Sequence, residues 1–316
     1  MRPLAIAGLA ALIGGAAAAL VARPIRYEVE GLSMAPALLP GDVVSTGLFP
    51  AVGRRRSPRR FERWLIEPPA GGTALKRVVG LPGERVAIAA GDLAIDGRVV
   101  LKDPRLLAEV GSAVAADDVC SDPPAAVLDD AAFAPHERRW LLPVRDVGLA
   151  AVVSVSSASP ADPVRVRARV GQRRVTWRVR RPGHVAIAAG RLDGHVVAAA
   201  WPVAGRGAGG RSCLPPDPPA DWDHRTAWTD DDPVGPAPLV SLALVAEPAG
   251  RGRAAVGELR GWRDVLLRPA ADGRQDWTLA AGEHLVLGDF PSGSRDSRQW
   301  GPLGPDAFRH RVAATR

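Results

Sequence analysis

Residues 164–180 alternate apolar and polar side chains with a period of two, and this stretch constrains the fold more than any other. Val164, Val166, Ala168 and Val170 alternate with Arg165, Arg167 and Arg169. After Gly171-Gln172, Val175, Trp177 and Val179 alternate with Thr176, Arg178 and Arg180. A period of two sends successive side chains to opposite faces of an extended chain. The segment therefore predicts a β-hairpin with one packed face and one basic face. That basic face reads as solvated; phosphate or lipid are the partners it could meet. Residues 82–100 repeat the alternation around Ala90-Gly91-Asp92 and Asp96-Gly97, and 183–197 carry a similar phrase. Both read as β-meanders with similar turns. With 34 Gly and 30 Pro in the chain, a helical bundle is excluded. The expected fold is mainly β and antiparallel.

The 316 residues allow about two domains. The apolar share of 47% against 24% charged is a folding composition. A net charge of +7 favours acidic partners or an anionic membrane surface without choosing between them. Two cysteines exclude a disulfide-framework mini-domain and a zinc site built from four cysteines, and the six histidines show no metal-ligand spacing. No metal or cofactor is expected. The seven tryptophans between 140 and 277 read as core anchors of a β domain rather than a sugar-binding face.

From Leu4 to Ala22 run 19 residues without a charge. As a helix this run spans ~28 Å, about the hydrocarbon thickness of a bilayer. It reads as one N-terminal transmembrane anchor. A cleaved signal peptide stays open, because a cut after Ala18 or Ala19 satisfies the small-x-small pattern. Arg2 precedes the run, and Arg23 and Arg26 follow it, so the flanking charges leave orientation open. The basic run Arg54, Arg55, Arg56, Arg59 and Arg60 reads either as an exposed loop or as a site for lipid head groups. No aromatic interleaving supports a nucleic-acid partner.

Three segments carry chemistry. The first is Gly31-Leu32-Ser33-Met34-Ala35-Pro36-Ala37-Leu38-Leu39-Pro40-Gly41-Asp42. The second, Lys76-Arg77-Val78-Val79-Gly80-Leu81-Pro82-Gly83-Glu84, holds one of only two lysines in a chain with 39 arginines. The choice has chemical content: arginine keeps its proton in a protein, whereas a desolvated lysine can become a neutral base. The third, Gly288-Asp289-Phe290-Pro291-Ser292-Gly293-Ser294-Arg295-Asp296-Ser297-Arg298-Gln299-Trp300-Gly301, is dense in glycine and hydrogen-bonding side chains, as a buttressing loop would be.

In this order, and after an apolar run, these segments resemble type I signal peptidases (leader peptidases). The resemblance covers residues 1–103 and about 282–316. It implies an antiparallel-sheet catalytic core outside the cytoplasm, held at the plasma (inner) membrane of a bacterium by a single span. It implies removal of signal peptides from exported preproteins by a Ser33/Lys76 dyad through an acyl-enzyme, with preproteins and the lipid bilayer as partners. The backbone N–H of Ser33 would help bind the oxyanion. Some relatives add a serine hydroxyl two residues earlier; here that residue is Gly31. Ser294 matches the serine that hydrogen-bonds the lysine. Asp296 and Arg298, with Gly288 and Asp289, match the residues that order the site. Met34, Leu38 and Leu75 match positions lining a shallow apolar pocket. The implied division is an anchor at 1–23, core at 24–103, an inserted β-rich domain at 104–281 with a Pro/Gly/Asp-rich linker near 202–238, and core again at 282–316. An oxidising compartment would allow Cys120 and Cys213 in that insertion to pair. Lys102, in no motif, is expected to tolerate replacement by arginine.

The chain departs from the family pattern at Ala37, where threonine is usual, and at Phe290, where asparagine is usual. Neither removes a catalytic group. Two other readings stay open: a Ser/Lys processing peptidase of narrow specificity, and a membrane-anchored scaffold whose catalytic core has decayed.

Overall fold

The structure is a computed structural model and describes residues 24–46, 57–120, 127–128, 142–204, 212–223, 228–229, 240–245 and 253–314. The expected anchor at 1–23, the arginines at 54–56 and much of the expected linker lie outside these residues. Among the described residues no helix is long and apolar enough to cross a membrane. The protein is mainly antiparallel β, and its described residues divide into two compact units: those within 1–34, 38–86 and 269–316 form one, and those within 35–37 and 87–268 the other.

The first unit joins both ends of the chain in one sheet. Its strands are β1 (Arg26–Glu28), β2 (Val43–Thr46), β3 (Arg63–Ile66), β4 (Ala74–Gly80), β18 (Leu285–Leu287) and β19 (Phe308–Ala314), in the order β1-β2-β19-β3-β4-β18. β19 pairs antiparallel with β2 and β3, and β18 with β4. Strands from 25–103 thus pair with strands after 282, as convergence of the three boxes requires. Trp64, Ile66, Val78, Val286, Leu303 and Phe308 form the core under this sheet. Trp64 and Phe308 meet edge to face, with ring centroids 5.8 Å apart. β4 is buried from Lys76 to Gly80 without alternation. A strand covered on both faces takes every one of its side chains out of water.

β5 (Arg85–Ala89) leads from the first unit into the second, and β17 (Asp276–Thr278) follows the return. The second unit holds a hairpin of β6 (Asp92–Ile95) and β7 (Arg98–Val99), and helices α1 (Pro104–Val110) and α2 (Ala116–Cys120). Its larger sheet contains β8 (Ser112–Val114), β9 (Val147–Ser157), β12 (Gly183–Leu192), β13 (His195–Val203), β14 (Trp228–Thr229) and β16 (Arg253–Arg263), in the order β14-β13-β12-β9-β16-β8. A three-stranded sheet has the order β11-β10-β15, from β10 (Val164–Val170), β11 (Arg173–Val179) and β15 (Val240–Val245). The hairpin expected at 164–180 is β10–β11, with Val166 opposite Trp177. Its apolar face packs on the larger sheet: Val164 and Val166 join Val153, Val155 and Ile187, while Ala168 and Val170 join Leu149, Ala189 and Ala198. Gly148 and Gly190 are glycines because Trp262 lies over them; an added Cβ would stand 2.2 and 2.5 Å from its ring. Trp201, Trp222 and Trp262 are buried in one cluster, in line with their reading as core anchors.

The pairing open to Cys120 and Cys213 is not made. Cys120 and Cys213 are free thiols, and burial pushes the Cys213 thiol up to about 12. Cys213 sits in the core against helix α1, its Sγ 3.4 Å from the Leu107 carbonyl, so its partner is packing rather than sulfur. Lys102, in no motif, has a structural setting. It is buried, and its Nζ donates to Asp193 and to Asp264, the latter at 2.7 Å. Asp92 and Asp146 complete a group of four carboxylates around it, all within 4.8 Å of one another. Arg191 supplies a second cation, 3.2 Å from Asp146.

Candidate active site

Ser33 lies in the turn that follows β1, and Lys76 in β4. Their side chains meet: Lys76 Nζ is 2.9 Å from Ser33 Oγ and also donates to the Leu75 carbonyl at 3.0 Å. Lys76 is 3% exposed, which is too little for water to stabilise its charge. Burial accordingly lowers its pKa from 10.5 to about 8. The charges of Asp296 and Asp289 oppose this shift, and Arg298 supports it.

Each of those carboxylates has its own guanidinium. Asp289 receives Arg77 in a bidentate pair, with Nε and one terminal nitrogen each at 2.7 Å. Asp296 receives Arg298 in the same way, at 2.8 Å twice. All four side chains are buried. Two neutralised pairs place little net field at Lys76, so desolvation prevails. The pairs also do structural work. Arg77 reaches on to the Phe61 carbonyl at 2.8 Å. Asp296 caps the short helix α3 (Ser297–Trp300) in a capping box with Gln299. Its other oxygen accepts the backbone N–H of Gly288 at 2.9 Å.

The Gly288 loop closes on the serine from the other side. The Phe290 N–H donates to the Ser33 carbonyl at 3.1 Å. A Cβ on Gly288 would stand 2.2 Å from Ser294 Oγ and 2.4 Å from the Ser33 carbonyl oxygen. Only glycine lets the loop approach so closely. Met34 and Leu38 are buried in the Ser33 turn, where the Leu38 N–H donates to the Met34 carbonyl at 2.8 Å, and Leu75 is half-buried in β4. Beyond this turn, β1 is the edge strand of the first sheet.

The family model described as signal peptidase, peptidase S26, matches residues 2–134. That match, over less than half of the chain, supports membership of the signal peptidase family. The match indicates a signal peptidase hydrolase. No curated protein matches the chain. The family match takes in the segments of Ser33 and Lys76 and ends before that of Gly288 to Arg298.

One expected contact is absent. Ser294 Oγ is buried and makes no hydrogen bond among the described residues, whereas Lys76 is bonded to Ser33 and Leu75. Ser294 is near the centre without engaging the lysine. Conversely, Arg77 has a larger part than its sequence suggested. It stands in the lysine box, but nothing in the order of residues pairs it with Asp289. A buried arginine needs a carboxylate, and the acidic residues of the third segment were the available signal.

Proposed function

We propose that this signal peptidase cleaves the signal peptides of exported preproteins with Ser33 as nucleophile and Lys76 as general base. The observation that carries the reading is the 2.9 Å contact between Ser33 Oγ and a lysine whose burial brings its pKa to about 8. A neutral Lys76 accepts the Ser33 hydroxyl proton as Oγ attacks the scissile carbonyl carbon. A C–O bond forms, and the carbonyl π electrons move to oxygen as the oxyanion. The backbone N–H of Ser33 is the donor proposed for that oxyanion, with Gly31 adding no hydroxyl. Collapse breaks the C–N bond, and the proton held by Lys76 passes to the leaving amine. Lys76 then takes a proton from water, the hydroxide attacks the ester, and Ser33 departs with its hydrogen restored. Arg77–Asp289 and Arg298–Asp296 hold the loop against the dyad and keep its carboxylates neutralised. The substrate lies extended beside Tyr27 to Glu30, adding a strand to the edge at β1. Met34, Leu38 and Leu75 line the pocket for a small side chain. The N-terminal apolar run anchors the enzyme in the plasma membrane, with this unit on the extracytoplasmic side.

Incubation of the full-length protein with a preprotein tests the reading. Cleavage that is lost in both Ser33→Ala and Lys76→Arg is expected, since arginine keeps the charge and cannot deprotonate. Lys76→Arg retaining more than about a tenth of wild-type cleavage would refute the dyad, because a general base contributes ~10²–10⁴-fold.

A further inference from the structure

The outer face of the β10–β11 hairpin carries charge that edge protection alone does not account for. Arg165, Arg167 and Arg169 of β10 stand on the side opposite the buried Val164, Val166, Ala168 and Val170. In β11 the exposed positions are Arg174, Thr176 and Arg178, with exposed Arg180 just beyond the strand. The register sets Arg165 opposite Arg178, Arg167 opposite Thr176 and Arg169 opposite Arg174. Like charges directly across a ladder destabilise a sheet. From Pro163 to Leu192 the chain has nine arginines and no carboxylate. On the other side, Val245, Ala243 and Ser241 of β15 pair with Arg165, Arg167 and Arg169, and none is acidic.

Edge strands often carry charge to prevent pairing with other chains. That explains β11, which is an edge, but not β10, which is the middle strand of three. A basic face that reaches the interior of a sheet needs a partner that spreads negative charge over an area. Sheets that bind single-stranded nucleic acid present aromatic rings on the open face, on which bases stack. Here Trp177 lies in the register of the packed face, opposite buried Val166, and Thr176 is the one position between the outer arginines of β11. A platform with guanidinium groups and no stacking ring fits phosphate head groups presented as a surface.

We infer that the β10–β11 face docks on an anionic phospholipid surface, independently of the peptidase site.

The test is co-flotation of the full-length chain with two vesicle preparations, one of phosphatidylcholine alone and one with about one third phosphatidylglycerol. The N-terminal apolar run contributes to both, but Arg2, Arg23, Arg26 and the basic run at 54–60 also favour the anionic vesicles, so the share that belongs to the β10–β11 face is read from its variants. Wild type is expected to prefer the anionic vesicles at least ~10-fold at low salt and to lose the preference near 0.5 M salt. The variant R167Q/R174Q/R178Q/R180Q should lower the low-salt preference at least ~5-fold, and the matching lysine variant should keep most of it. If the fourfold glutamine variant does not fold, R174Q and R178Q singly should each lower the preference. Equal partitioning of wild type, or full preference in the glutamine variants, overturns the inference. So does an oligonucleotide that binds this face more tightly than the anionic vesicles and is released by the same substitutions.

Discussion

Arg77 and Asp289 lie 212 residues apart in the chain and meet in a buried bidentate pair at 2.7 Å. Arg77 is the neighbour of Lys76 on β4, and Asp289 the neighbour of Gly288 in the loop that closes on Ser33. The pair therefore fixes the distance between the strand that carries the amine and the loop that touches the serine. Asp289→Asn would leave the guanidinium buried with half its partner. Breaking a buried pair from one side costs ~3–5 kcal/mol. Chemical denaturation of the first unit should show a loss of this order, and a variant within ~0.5 kcal/mol of wild type would show that the pair fastens nothing.

Lys76 sets a pH dependence for cleavage. With its pKa near 8, the neutral amine is a minor form at pH 6 and the dominant form at pH 9. The logarithm of kcat/KM should rise by about one per pH unit below 8 and level off above it. A profile flat between pH 6 and 9 would remove Lys76 as the base.

The same residue makes the fold weaker than it need be. Its pKa falls from 10.5 in the unfolded chain to about 8 in the fold. Above 10.5 the amine is neutral in both states and its burial carries no ionic penalty. As pH falls through 8, the folded state must hold an ammonium, at a cost of about 3 kcal/mol for a shift of this size. Lys76→Met should thus be inactive yet more stable than wild type at pH 7, with the advantage shrinking as pH rises from 8 to 10.5. Thermal unfolding at pH 7 and at pH 10.5 checks the sign. A methionine variant that melts earlier than wild type at pH 7 would contradict it.

Gly288→Ala should abolish most cleavage without unfolding the protein. Its Cβ would meet both Ser294 Oγ and the Ser33 carbonyl. Truncating the first obstacle is not enough: Gly288→Ala/Ser294→Ala still presses on the backbone of Ser33. Misplacing a nucleophile by about 1 Å costs ~10²-fold. Kinetics on the single and double variants decide this, and full rescue by Ser294→Ala would show that the serine carbonyl is not the critical contact.

Lys102 is expected to matter for stability rather than for cleavage chemistry. Lys102→Met would leave four clustered carboxylates with Arg191, on Asp146, as the cation beside them, and a loss of ~3–5 kcal/mol in the second unit follows. Lys102→Arg must fit a larger planar group into the space of an ammonium, so it too should destabilise. Burial and the neighbouring carboxylates also raise the pKa of Asp92 to about 9, and burial that of Asp264 to about 7. A carboxyl raised in the fold stabilises below its unfolded value and loses that contribution as pH rises through the folded one. The second unit should therefore weaken from about pH 4 to pH 9, opposite in direction to the Lys76 effect. Thermal scans of Asp92→Asn should show a flatter pH dependence than wild type.

Much of the strand content was legible in the residues themselves. Alternation at 164–180 is a local property, because the pleat sends neighbours to opposite faces whatever lies beyond, and β10–β11 has the register that it implies. The types of residue that carry chemistry were legible too. A serine box and a rare lysine are visible without any fold, and the structure brings them to 2.9 Å. What the order of residues did not contain is which groups meet. The Arg77–Asp289 pair depends on β18 and β19 returning to β4 and β3 across the whole second unit. Ser294 was expected to bond Lys76 and instead makes no hydrogen bond among the described residues, because small displacements of a loop decide that. Lys102 had no motif, and only three-dimensional packing puts it among carboxylates from β6, β9, β12 and β16 and their flanks. Patterns with a short period are set by the covalent chain. Burial, pairing and pKa depend on dielectric and distance, and these exist only once distant segments have packed.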